Sequence, residues 1–145
     1  MIQLQFPEPA FRIKKEEERA LIFDEIRKKW VHLQPEEWVR QNMVQYLIQS
    51  IRIPKSAIAI EKKIQLKEGI KRFDILAYDA EHKPWMMVEC KAEKITLNEK
   101  TLMQILSYNL HIPVRYLVIT NGIACHVADK KAEEPYWLSA FPNYE

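Results

Sequence analysis

Glycine is scarce: Gly69 and Gly122 are the two in a chain of 145 residues. A glycine-rich phosphate loop cannot be built from them, which excludes nucleotide binding of the P-loop or dinucleotide kind. No Gly-x-Ser-x-Gly elbow and no His-Glu-x-x-His helix occurs. Cysteine is nearly absent too. Cys90 and Cys125, with histidines at 32, 82, 111 and 126, are scattered without zinc spacing. No apolar run approaches the roughly 18 residues of a membrane helix. Met1 to Phe11 lacks the basic and apolar regions of a secretion signal. A cytoplasmic protein with reduced thiols and no membrane partner is expected. Neither sign of charge dominates: 22 basic residues face 20 acidic ones, a net +2. That permits nucleic-acid binding without arguing for it. The pairs and triplets Lys14-Lys15, Arg27-Lys28-Lys29, Lys62-Lys63, Lys71-Arg72 and Lys130-Lys131 read first as solvated surface.

What is present is an ordinary globular composition, 48% hydrophobic, at a length that suits one domain over residues 1–145. Residues 1–13, with Pro7 and Pro9, read as an extended lead-in. Residues 14–30 read two ways. Glu16, Glu17 and Glu18 before Arg19 and Ala20 suit a helix, whereas Ala20-Leu21-Ile22-Phe23 suits a strand. Residues 35–51 read as a helix. Pro35 fits its first turn, Glu36 and Glu37 complement its dipole, and Val39, Met43, Tyr46, Leu47 and Ile51 make an apolar stripe. Pro54 ends it.

From 57 to 66 the chain alternates, so a strand is expected with Ile58, Ile60, Lys62, Ile64 and Leu66 on one face. Lys67-Glu68-Gly69 reads as a turn, and strands follow near 71–79 and 84–91. A helix over 98–110 has Asn98 as a candidate N-cap and Leu102, Ile105, Leu106 and Asn109 on one face. Residues 115–120 read as a buried strand and Asn121-Gly122 as a hairpin turn back into a strand at 123–128. The tail, with Trp137 and Phe141, is expected to pack on the surface. The order helix, three strands, helix, two strands implies an α/β fold. The expected architecture is a three-layer α/β/α sandwich around a central mixed sheet.

The informative anomaly is charge inside apolar strands. Asp74 interrupts Phe73-Asp74-Ile75-Leu76-Ala77, and Glu89 and Lys91 follow Met86-Met87-Val88. A buried charge must be paired or bound to a metal. Glu89 and Lys91, two apart on a strand, share a face, with Val88 and Cys90 on the other. If the two strands are neighbours, Asp74 and Glu89 converge on one point. Two carboxylates with a backbone carbonyl, that of Cys90, suit Mg²⁺ or Mn²⁺. Lys91 would orient water or stabilise developing charge. The competing reading is a salt-bridged carboxylate and lysine in a half-exposed strand. Glu37 and Gln41 sit four apart on the first helix, and Gln104 and Tyr108 four apart on the second. Each of the latter also fits a satisfied core position.

The succession Pro35-Glu36-Glu37-Trp38-Val39-Arg40-Gln41, Arg72-x-Asp74, Val88-Glu89-Cys90-Lys91-Ala92, Gln104-x-x-x-Tyr108-Asn109 and Thr120-Asn121-Gly122 resembles one known family. That family is the N-terminal nuclease domain of type I restriction enzyme R subunits, in the PD-(D/E)xK nuclease superfamily. The likeness covers roughly residues 19–142. It implies a restriction-endonuclease-like fold and Mg²⁺-dependent DNA cleavage. By motif, it makes Asp74, Glu89 and Lys91 the catalytic trio and Glu37 the helix glutamate that supports the metal. It makes Gln104 and Tyr108 DNA-touching or orienting residues, and groups Gln41 and Arg72 with them in substrate binding. It further suggests an extended hairpin over 11–24. The motif's proline is Phe73 here. R subunits carry a motor after this domain, and no P-loop lies in these residues, so ATP-driven translocation is not expected of them. DNA, a motor or specificity subunit, and a second copy of the chain are the expected partners. The alternative reading is a non-cleaving DNA-binding or regulatory module of the same fold that needs a partner subunit.

Overall fold

The computed structural model describes residues 1–8, 10–131 and 134–144. Its first unit is a three-stranded antiparallel sheet of β1 (Ile13–Glu16), β2 (Arg19–Asp24) and β3 (Lys29–His32). The helical option for residues 14–30 is therefore corrected. The hairpin over 11–24 forms and gains a third strand. Its turns are hard to read because Glu17 (φ 49°), Glu18 (φ 66°) and Lys28 (φ 55°) occupy left-handed positions usually filled by Gly or Asn. Leu21, Ile22 and Asp24 of β2 are buried.

The first helix, α1 (Pro35–Gln49), begins at Pro35 with Glu36 and Glu37 in its first turn. Val39, Met43, Val44 and Leu47 are buried along it. A six-stranded sheet follows in chain order: β4 (Ile58–Leu66), β5 (Gly69–Tyr78), β6 (Pro84–Cys90), β7 (Tyr116–Thr120), β8 (Cys125–Asp129) and β9 (Tyr136–Trp137). Every neighbouring pair is antiparallel except β6 and β7, which run parallel and are joined by α2 (Glu99–Asn109). A parallel pair needs such a crossover. The result is a mixed α/β fold, as the element order implies.

Two apolar clusters divide the sheet's side chains. One contains Val39, Met43, Val44 and Leu47 of α1 with Ile75, Ala77, Met86, Val88, Val118 and Val127. The other contains Leu102 and Leu106 of α2 with Phe73, Leu76, Met87, Leu117 and Ile119. Neighbours along β6 alternate between them, as the period of two demands. The expected single face of β4 is corrected: Ile58 and Ile60 join the α1 cluster, Ile64 and Leu66 the α2 cluster. The switch falls at Glu61, which has φ 52° and drops out of the ladder together with Asp74 opposite. Phe73 and Ile75 are likewise split between clusters.

Asn98 caps α2 by accepting the Thr101 N–H at 2.9 Å. Lys130 holds the far end, its Nζ donating to the carbonyls of Asn109 (2.9 Å) and Ile112 (2.6 Å). Asn121 and Gly122 do make the hairpin turn, in a four-residue connection. The Asn121 side chain accepts from the N–H groups of Ile123 and Ala124. In the tail, Trp137 lies in β9 against Ala128 of β8, and Phe141 packs edge-on to Tyr46 at 5.3 Å. No helix among the described residues is long and apolar enough to cross a membrane.

Candidate active site

The antiparallel register of β5 and β6 pairs Ile75 with Val88, Leu76 with Met87 and Ala77 with Met86. Asp74 is the next residue along β5 and Glu89 the next along β6. The ladder stops there, and the Asp74 side chain takes over: its Oδ2 accepts the Cys90 N–H at 2.8 Å. Cys90 in turn pairs with Thr120 of the parallel neighbour, and the Lys91 N–H donates to the Thr120 carbonyl at 2.9 Å. Asp74, Glu89 and Lys91 thus converge where β5 parts from β6. The Cys90 side chain is fully buried in the α1 cluster, and burial pushes its thiol well above the usual range.

Glu89 and Lys91 line an open cleft of about 340 Å³, with Lys71 of β5 and with Gln104, Ile105, Tyr108 and Asn109 of α2. Lys71 Nζ lies 3.2 Å from Glu89 Oε1 and also over the Tyr108 ring, 5.5 Å from its centre. Tyr108 is 72% exposed. Burial, then the charge of Asp74, raise the Glu89 carboxyl above its ordinary value, and Lys71 and Lys91 do not cancel them. The Glu36 carboxyl is raised as well, by burial and then Asp74, with Glu89 adding and Arg40 and Lys91 opposing. Three carboxylates, from β5, β6 and the start of α1, therefore act on one another here. They form no group close enough to hold a metal by themselves among the described residues.

Glu37 and Gln41 are placed elsewhere. Glu37 is one position, about 100° of helix, away from Glu36. Its Oε1 accepts from Arg27 Nη2 at 2.8 Å and its Oε2 from Gln41 Nε2 at 3.1 Å. Gln41, 2% exposed, also donates to Asp24 Oδ2 at 3.0 Å. Arg27 Nε donates to the same oxygen at 2.6 Å. Arg40 stands between the two groups: Nη1 is 3.1 Å from Glu61, Nε 3.7 Å from Glu37, and Nη2 3.9 Å from Glu36 and 4.0 Å from Asp74. Arg72 is exposed on β5 beside Lys63 of β4 and does not line the cleft. Sequence reasoning missed Glu36, Arg40 and Lys71. A helical wheel phased on Val39 and Met43 could have weighed Glu36 against Glu37, and Lys71 lies three residues before Asp74.

The Thr120-Asn121-Gly122 motif holds this geometry. Thr120 Oγ1 accepts from the Gly122 N–H (3.0 Å) and donates to the Ala124 carbonyl (2.9 Å). Asn121 Nδ2 donates to the Ile95 carbonyl at 2.7 Å, tying down the loop after Lys91. Gly122, at φ 90°, lies against Val39 of α1, where a Cβ would meet Cγ2 at 3.2 Å.

Fold and cleft together define a mixed α/β domain with a charged strand-end site walled by its second helix. Residues 35–142 match the family model described as Type I restriction enzyme R protein N terminus, and the chain belongs to that family. The family is nuclease-related. No match is found among curated proteins.

Proposed function

We propose that this domain is a divalent-metal-dependent nuclease that hydrolyses DNA phosphodiester bonds. The observation that carries the reading is the convergence of Asp74 and Glu89 at adjacent register positions, with the Glu89 carboxyl raised by burial and by Asp74. Mutually repelling hard oxygen donors fit Mg²⁺ or Mn²⁺. Asp74 and Glu89, with the Cys90 carbonyl, would hold the ion, and Glu36 rather than Glu37 is the helix acid within electrostatic reach of them. Such a cation supplies Lewis acidity toward the scissile phosphate.

The chain's own residues do the rest. Lys91 sets a fixed cation beside the position where negative charge develops on phosphate. Lys71 releases Glu89 and becomes a second cation toward the backbone. Gln104 and Tyr108 form the wall on which the strand is oriented, Tyr108 offering a ring face for a base. The domain is assigned to the cytoplasm, acting on DNA beside a motor or specificity subunit.

The test is cleavage of supercoiled plasmid and labelled single-stranded DNA with Mn²⁺, Mg²⁺ or EDTA, comparing wild type with Lys91→Ala. Metal-dependent cutting lost in the variant supports the reading. No cutting by pure wild type, or equal cutting by the two proteins, overturns it. The Lys71–Glu89 ion pair favours one second reading, a partner-dependent DNA-binding module in which that pair stays closed. Such a module holds DNA equally well in EDTA and never cuts alone.

A further inference from the structure

The β4–β5 hairpin outruns the sheet. β6 pairs with β5 at positions 75–78, whereas β4 and β5 remain paired to Leu66 and Gly69. Residues 62–73 are therefore a two-stranded ribbon at the sheet's outer edge, beginning beside Asp74. One of its faces is covered, because Ile64, Leu66 and Phe73 belong to the α2 cluster. The other face is open. There Lys63 stands opposite Arg72 and Gln65 opposite Ile70, all four exposed, and Ile70 is 70% exposed. Lys62 and Lys67 flank them, exposed as well.

The charge is lopsided. Residues 62–72 hold five cations, Lys62, Lys63, Lys67, Lys71 and Arg72, against one acid, Glu68. That net +4 exceeds the +2 of the whole chain. Two like charges directly opposite on a ladder destabilise a hairpin. Among the described residues Lys63 makes no ion pair, and Arg72 has no acid within ion-pair distance, only the longer-range pull of Glu61. The positive charge on this face is thus left largely uncompensated by the protein, and a polyanion is its natural complement.

We propose that this open face of the ribbon grips duplex DNA by lying in the major groove next to the cleft. A twisted two-stranded ribbon fits that groove, about 12 Å wide. Lys62, Lys63 and Lys67 meet phosphates, Gln65 and Arg72 carry the donors that read base edges, and Ile70 supplies apolar contact. The inference rests on the reading of the domain as one that acts on DNA, and adds that the preferred substrate is double-stranded.

The experiment is fluorescence anisotropy in EDTA with a labelled 20-base-pair duplex and the matching single strand. Lys63→Glu/Arg72→Glu is compared with wild type and with Lys28→Glu/Lys29→Glu at the start of β3. The milder Lys63→Gln/Arg72→Gln guards against misfolding, checked by circular dichroism. The expected result is tighter wild-type binding to duplex than to single strand. The ribbon variants should bind duplex at least tenfold more weakly, and the Gln variant should flatten the slope of log K against log salt by about 1.8, two contacts at roughly 0.9 each. The β3 variant should bind as wild type does. Equal losses in ribbon and β3 variants, or wild-type preference for single strand, overturn the proposal. Because no metal is present, ribbon-dependent binding by a protein that never cuts would remove the nuclease reading and leave this one standing. Cutting without ribbon-dependent duplex binding would do the reverse.

Discussion

Two carboxylate clusters lie on either side of Arg40, and they are tuned in opposite directions. In one, Asp24 is fully buried, which alone would raise its pKa. The backbone N–H and guanidinium of Arg27, with Gln41, outweigh burial and hold the Asp24 carboxyl below its ordinary value. Glu61, touched by Arg40 and Arg27, is also lowered. In the other, Glu89 and Glu36 are raised, because Asp74 adds to burial and the nearby cations do not compensate. The comparison separates two uses of buried charge. The first cluster is finished: its acids have their partners, and it fastens β2 to α1. The second is unfinished by the protein alone, and this is the electrostatic condition of a site that awaits a cation.

The comparison breaks most visibly if Arg27 is removed. Arg27→Met leaves Asp24 and Glu37 buried without their main donor, and truncating one partner of a buried pair costs about 3–5 kcal/mol. Urea denaturation at pH 7 should show that loss. In wild type, Asp24 contributes stability above its ordinary 3.8, and this is lost as pH falls through the lower folded value. Arg27→Met should lose that acid-side dependence. Next in size, Lys91→Ala should lower metal-dependent cleavage by about 10²–10³-fold, the loss typical of one fixed charge-stabilising group. Its melting temperature should stay close to wild type, because the side chain lines an open cleft. A large loss of stability instead would place Lys91 in a structural ion pair.

Smaller again is Gly122→Ala. The substitution forces a left-handed backbone on a residue with a side chain and sets a Cβ 3.2 Å from Val39. A cost of about 2 kcal/mol is expected, readable as a lower denaturation midpoint. A neutral result would mean that α1 yields at Val39 and that the hairpin does not fix the helix carrying Glu36.

The finished and unfinished clusters were unequally legible in the sequence. Asp74, Glu89 and Lys91 stood out because charge inside apolar strands is chemically anomalous, and strand period alone put Glu89 and Lys91 on one face. Asp24 and Arg27 could not be read. They belong to a three-stranded sheet whose turns use Glu17, Glu18 and Lys28 where Gly or Asn would have signalled a reversal. Assigning the helix acid needed the rotation of α1 to within one residue. Apolar spacing fixed the buried stripe of α1 but not which of two adjacent glutamates meets Asp74. The face switch of β4 was hidden for a related reason: alternation through Lys62 looked continuous, and the left-handed Glu61 that reverses it has no sequence signature. Helix α2 was read closely because Asn98, the Leu102–Leu106 spacing and Pro113 each carry a local physical meaning.

The smallest effect tests the unfinished cluster directly. The folded Glu89 carboxyl is raised above its ordinary 4.5, so between 4.5 and the folded value the native state holds the extra proton. Stability on its account falls as pH rises through that window, and above the window the cost is complete. Glu89→Gln removes the repulsion with Asp74 and gives up the Lys71 ion pair, a partly exposed pair of small worth. In metal-free buffer at pH 7 the variant should therefore match or exceed wild type, by less than about 1 kcal/mol, and the difference should vanish below pH 4.5. Added Mn²⁺ should raise the melting temperature of wild type and leave the variant unmoved, since a ligand that binds only the native state stabilises it. A variant clearly weaker than wild type at pH 7, with no Mn²⁺ effect on either, would show that Lys71 completes this cluster as Arg27 completes the other.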